Sequence, residues 1–191
     1  ADNRLDDAIA AFSEARRLAP AFIEARWNLA LALLASGRFD EGWRHYDARL
    51  ELPQLGALPQ RPPSPPWDGV PRAGETLLLV AEQGLGDAIQ FARLAPLVAA
   101  RGAHVVLQAP APLAQLFRSL EGVHEVVPVG APLPAFDAWL PLLSLPGALG
   151  LDAGSIPARV PYLAADAARR ADIRAQLPLR SDALRAGLAW S

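Results

Sequence analysis

The chain is 191 residues long, with 18 basic and 20 acidic side chains, a formal net charge of −2 and a hydrophobic fraction of 52 %. That apolar content excludes intrinsic disorder for most of the chain, and near-neutral charge without a basic run removes the electrostatic footprint of a general nucleic-acid binder. Because there is no Cys and every basic residue is Arg, disulfide, thiolate, lysine Schiff-base and P-loop chemistries are excluded.

The first fifty residues carry a repeat. Leu5, Ala8, Phe12, Ala15 and Pro20 recur in type as Phe39, Gly42, Tyr46, Arg49 and Pro53, beginning 34 residues on, which is the tetratricopeptide period. The small residue at Ala8 or Gly42 marks a close helix approach, and the aromatic at Phe12 or Tyr46 lies one turn further along the same face. Pro20 ends a helix. Residues 23–36 supply the next one, with Trp27, Leu31 and Leu34 at i, i+4, i+7 as its expected apolar face, and Gly37 closes it as a C-cap glycine. The chain thus opens on the second helix of one repeat and continues with a full helix pair, an incomplete array over 1–51. A plain helical hairpin packed on the next domain is the alternative.

Residues 52–72 contain seven prolines, which forbid regular helix or central strand and define a stiff linker. Trp67-Asp68-Gly69 at its end is too apolar for free coil, so Trp67 is expected to dock on the following domain. From there strands and helices alternate. Residues 76–81 read as a buried parallel strand, 88–101 as a helix, 104–108 as a strand, 112–120 as a helix and 124–129 as a short strand. A strand follows near 138–140, then a short helix broken by Pro146, a helix over 164–177 and a last strand over 185–190. This order predicts a Rossmann-like parallel α/β domain over 73–184, with a last strand after it. The fold class is α+α/β: a short tetratricopeptide-type helical array followed by a Rossmann-like sheet domain.

The loop Gly84-Leu85-Gly86-Asp87, between first strand and first helix, carries the sharpest chemical signal. In open α/β sheets ligands bind beyond the carboxyl ends of the strands. Glycines let a ligand approach the backbone, and a helix N-terminus offers free N–H groups. Asp87 sits where an N-cap belongs and reads either as a structural cap or as a general base facing a substrate hydroxyl. Gln83, Gln90 and Arg93 flank the loop as candidate polar contacts, although Gln90 and Arg93 equally suit a solvent face. A dinucleotide site is disfavoured: Ile89 stands where G-x-G-x-x-G needs glycine, and the second strand ends in Gln108-Ala109 without the ribose-binding acid. His45, His104 and His124 lie far apart in sequence without metal-ligand spacing and are expected in surface or packing roles, Ser144 lacks the G-x-S-x-G elbow, and Asp137 caps or orients the strand beside it.

The helical repeat, Trp67-Asp68-Gly69 and the run Glu82-Gln83-Gly84-Leu85-Gly86-Asp87-Ala88-Ile89-Gln90-Phe91-Ala92-Arg93 together resemble bacterial tetratricopeptide-repeat glycosyltransferases. These are relatives of the glycosyltransferase family 9 heptosyltransferases and of the O-linked N-acetylglucosamine transferases. Leu133-Pro134-Ala135-Phe136-Asp137, the run 141–146, Ile156-Pro157 and Val160-Pro161-Tyr162-Leu163 resemble the family's first-domain segments, and Gly187-Leu188-Ala189-Trp190 resembles the strand that opens its second, donor-binding domain (185–191), so the likeness covers essentially the whole chain. The resemblance implies the N-terminal half of a metal-independent, inverting GT-B enzyme that takes a sugar from a nucleotide-sugar donor to a protein or glycan acceptor. Asp87 is then the catalytic base, Gly84 and Gly86 shape its loop, and Gln83, Leu85, Gln90 and Arg93 contact substrate. No cofactor beyond the nucleotide sugar is implied. Asn28 occupies the position at which related arrays hold a bound peptide backbone.

The competing expectation is a non-catalytic interaction scaffold with a degenerate Rossmann-like module. The lack of Met, the missing first helix and the strand over 185–190 lead to the expectation of a fragment that is inactive alone. Apolar stretches such as 138–151 are interrupted by Pro141, Pro146 and Gly147 and fall short of the roughly 18 residues of a span. The expected protein is therefore soluble and cytoplasmic, binds no nucleic acid and is able to dimerise through its truncated repeats or its last strand.

Overall fold

The computed structural model describes residues 4–55, 58, 62–70 and 72–177; the strand expected over 185–190 lies outside them. Three helices come first, α1 (Leu5–Leu18), α2 (Ile23–Ala35) and α3 (Phe39–Tyr46), and a 3-10 turn at Asp47–Glu51 follows. Gly37 adopts φ 82°. Its N–H donates to the Leu34 carbonyl at 3.1 Å and that of Arg38 to Leu33 at 2.9 Å, the paired bonds of a Schellman C-cap. The close approach falls where the repeat places it, since a Cβ on Gly42 would lie 2.7 Å from the Leu34 side chain.

The expected apolar face of α2 needs correction. Leu31 is exposed, and the buried residues are Ala25, Leu29, Ala30, Ala32 and Leu33. Helix α2 packs against both α1 and α3 and is apolar on most sides, so periodicity alone does not single out one face.

Four parallel strands, β1 (Thr76–Val80), β2 (His104–Ala109), β3 (Val123–Pro128) and β4 (Ala138–Pro141), form a sheet in the order β3-β2-β1-β4. Leu77, Leu79, Val105 and Leu107 on one face pack beneath α4 (Leu85–Ala92), α5 (Ala95–Ala99), α6 (Ala111–Phe117) and α7 (Leu145–Leu149). Leu78, Val80 and Val106 on the other face are covered by Leu133 and Phe136 from the β3–β4 connection. The two steps from β1 to β3 run in one direction across the sheet and the step to β4 runs back. Right-handed crossovers therefore place the last connection on the opposite face.

The expected single helix over 88–101 is two helices. Pro96 lies in the first turn of α5, and its ring excludes continuation from the turn containing Ala92. Pro146 likewise starts α7 instead of breaking a helix. Trp67 is 4 % exposed. Its N–H donates to the Trp139 carbonyl at 2.7 Å, and Trp139 Nε1 donates to the Ser64 carbonyl at 2.8 Å, so the linker docks along β4 as expected. Asp137 accepts from the Thr76 N–H at 2.8 Å and orients β1 against β4. Helix α8 (Ala167–Gln176), capped by Asp166, buries no residue. Among the described residues no helix is long and apolar enough to cross a membrane.

Candidate functional site

The parallel strands all end on one edge of the sheet, and the order reverses between β1 and β4. The loop after β1 holds Glu82, Gln83 and Gly84, and the turn after β4 holds Leu142–Ser144. These are the two loops that flank a ligand crevice in open parallel sheets.

Gln83, Gly84, Leu85 and Gly86 are exposed and Asp87 is half-buried. Helix α4 begins earlier than residue 88. Gly84 is its N-cap and Asp87 its third residue, so Asp87 caps from inside the helix, its Oδ2 accepting the Gly84 N–H at 3.1 Å. Only this half of a capping box exists, since glycine has no side chain to return the bond. Neither glycine is demanded by backbone geometry here, because the positive φ of the loop, 64°, belongs to Gln83. A Cβ on Gly86 would meet nothing within 4 Å. What glycine leaves at this position is uncovered backbone at a helix start, open to a ligand.

Gln90 is exposed one turn along α4 from the loop. Arg93 is turned away: its guanidinium lies 4.6 Å from the Tyr162 ring centroid and donates to the Pro157 carbonyl at 3.5 Å. Asn28 is half-buried on α2 and is not part of the loop. The candidate residues thus divide into a contiguous group, 83–87 with Gln90 beside it, and two outliers.

Sequence reasoning missed the group beneath the loop. Arg49, on the 3-10 turn after α3, is 0 % exposed. Its Nη2 donates to Glu82 Oε1 at 2.6 Å and Ser144 Oγ at 2.9 Å, and its Nη1 to Asp47 Oδ1 at 2.7 Å. Ser144 Oγ in turn donates to Asp47 Oδ1 at 2.6 Å, and the Leu143 N–H donates to Glu82 Oε1 at 3.3 Å. Burial pushes the Glu82 carboxyl above the usual carboxylate range, opposed by Arg49. Burial likewise raises Tyr46, opposed by Arg49 and reinforced by Asp87, Glu82 and Asp47. The repeat aromatic therefore lies within electrostatic reach of Asp87.

The signal that could have found this joint is Arg49 itself. It occupies the repeat position at which the first unit has Ala15, a charge where the repeat needs none. His104 and His124, far apart in sequence, take the packing role expected of them. Their rings stack 4.1 Å apart, and His124 Nδ1 accepts the Val105 N–H at 3.0 Å across β2 and β3. A cleft of about 300 Å³ lies between α3 and α7, lined by Trp43, Asp47, Trp67 and Ser144, and residues 83–87 are not part of its lining.

Residues 1–43 match the tetratricopeptide repeat. The chain is similar to Protein FlbA of Caulobacter vibrioides, 32 % identical over 180 residues that cover 84 % of this chain and 30 % of that protein. The chain thus spans about a third of the length of this curated relative. No solved structure matches. The first part of the chain is a tetratricopeptide-repeat segment, and a parallel α/β sheet domain follows it.

Proposed function

We propose that the chain is the acceptor-side part of a GT-B glycosyltransferase that moves a sugar from a nucleotide-sugar donor to a protein or glycan acceptor. The observation that carries this reading is the exposed loop 83–86 with Asp87 at the start of α4, on the edge of the sheet where the strands end. Asp87 uses Oδ2 for the Gly84 N–H, which leaves Oδ1 for an acceptor hydroxyl. In the reaction proposed, Asp87 takes the hydroxyl proton as that oxygen attacks the anomeric carbon. The bond from that carbon to the nucleotide phosphate breaks with inversion, and its electron pair leaves on the phosphate. Donor contacts are assigned to residues beyond those described here, and no metal is invoked. Leu18, Phe22 and Leu31 are exposed apolar residues of the repeat segment, the kind of surface that stacked repeats or a protein acceptor cover.

A non-catalytic interaction scaffold is the second reading. It is favoured by the tetratricopeptide match and by the Arg49 side chain that fills the space between the β1 and β4 loops. Incubating the natural full-length protein with isotope-labelled nucleotide sugars and a cell extract as acceptor separates the two. Label incorporated into protein or glycan supports the transferase. No incorporation and no donor hydrolysis across the common nucleotide sugars refutes it in favour of the scaffold.

A further inference from the structure

Arg49 bridges two loops that are remote in sequence, one after β1 through Glu82 and one after β4 through Ser144. A guanidinium supplied by the repeat segment thus sits at the reversal point of the sheet. Nothing in the repeat requires it, because Ala15 stands at the matching position of the preceding unit. The requirement comes from the α/β side.

We propose that Arg49 is a positioning residue for the loop 83–87, acting through Glu82; this rests on the reading of that loop as the acceptor-binding element. Glu82 Oε1 is held from two directions, by Arg49 Nη2 at 2.6 Å and by the Leu143 N–H at 3.3 Å. The next residue, Gln83, is fixed at φ 64°, a backbone conformation unfavourable for a side chain with a Cβ and sustained only when its surroundings impose it. The residue after that is Gly84, whose N–H holds the Asp87 carboxylate at 3.1 Å. Gln83 is thus held between two tied neighbours, Glu82 on the guanidinium and Gly84 on the Asp87 carboxylate. The planar fork of Arg reaches Glu82, Ser144 and Asp47 at once, which a Lys ammonium on a flexible stem cannot reproduce. The repeat and the loop are thereby one mechanical unit, and the setting of Asp87 depends on a side chain 38 positions before it.

Backbone amide hydrogen exchange on the natural full-length protein tests this, comparing wild type with Arg49→Met, Arg49→Lys and Arg49→Ala. In Arg49→Met the amides of 82–87 and Leu143 are expected to exchange about tenfold faster or more through a local opening that low urea leaves unchanged, while those of Val105–Leu107 in central β2 accelerate only as far as the fall in global stability requires. Arg49→Lys is expected to speed the same segment by less, and serves as the comparison if Arg49→Met does not fold. In Arg49→Ala, millimolar methylguanidinium is expected to slow the loop again where methylammonium does not. Unchanged loop exchange, or loop amides of Arg49→Met that show the same urea dependence as those of β2 and so open only with the whole domain, overturns the proposal. The exchange readout needs no turnover, so absence of sugar transfer refutes the acceptor-loop reading without bearing on the coupling. Where transfer is measurable, Arg49→Lys is expected to lower kcat more than it raises the acceptor KM.

Discussion

Replacing Arg49 with Met is expected to cost more stability than removing any exposed charge among the described residues. Arg49 is 0 % exposed and the Glu82 side chain 1 %, so the substitution leaves a carboxylate in the interior and removes the donor to Ser144 Oγ. Removing one partner of a buried ion pair costs about 3–5 kcal/mol, a large share of the roughly 5–15 kcal/mol that holds an ordinary domain together. Met follows the volume of the Arg stem, which keeps the cavity contribution small. Arg159, paired with Glu121 and 77 % exposed, is the control, and Arg159→Met should cost no more than about 1 kcal/mol. Urea unfolding followed by tryptophan fluorescence reads both, since Trp43 of α3 and Trp67 of the docked linker line one cleft with Asp47 and Ser144. Adding Glu82→Gln to Arg49→Met removes the stranded charge and should recover part of the loss, giving a favourable coupling in the double-mutant cycle. Acidification should also lessen the Arg49→Met defect as Glu82 takes up a proton. A cost below about 1 kcal/mol, or strictly additive single changes, refutes the joint as described.

Three further outcomes are expected. Burial raises the Glu82 carboxyl above its ordinary 4.5 in the folded protein, so the folded state holds this proton more tightly than the unfolded chain. Its contribution to stability is then fully present below 4.5 and is lost as pH rises through the raised value; the difference between wild type and Glu82→Gln in urea midpoint against pH should show that slope, and a flat difference contradicts it. Gly69 has φ 83° and a Cβ there would press into the Ala148 carbonyl oxygen, so Gly69→Ala should lower stability by about 1–3 kcal/mol in the same urea assay. A Cβ on Gly86 meets nothing within 4 Å; Gly86→Ala should stay within about 0.5 kcal/mol of wild type yet weaken acceptor use in a transfer assay, and a parallel loss of stability would mean that Gly86 serves the fold.

What was legible in the sequence divides along physical lines. The four described strands were readable because they are short apolar or alternating runs bounded by turn residues, and the repeat because Gly42 and Tyr46 keep its spacing. The start of α4 was misjudged since an Asp at the cap and an Asp two or three residues inside the helix give the same local pattern. The buried face of α2 was unreadable because that helix is covered on two sides and its apolar residues form no single stripe. The Arg49 joint was invisible for a different reason. Its partners lie 33 and 95 residues away, and a pairing of that range exists only after the sheet has formed. Arg93 matched the spacing of a loop contact, but the Tyr162 ring draws it to another surface.

The role of Asp87 as the base for an acceptor hydroxyl is read from the turnover of the natural full-length protein and its Asp87→Asn variant on one acceptor. Asn keeps an oxygen for the Gly84 N–H, so the helix cap and fold are retained while the base is removed. Sugar transfer by wild type is expected, with a fall of about a hundredfold or more in kcat for the variant and an unchanged unfolding midpoint. Equal turnover of the two proteins contradicts it and leaves Asp87 as a helix cap.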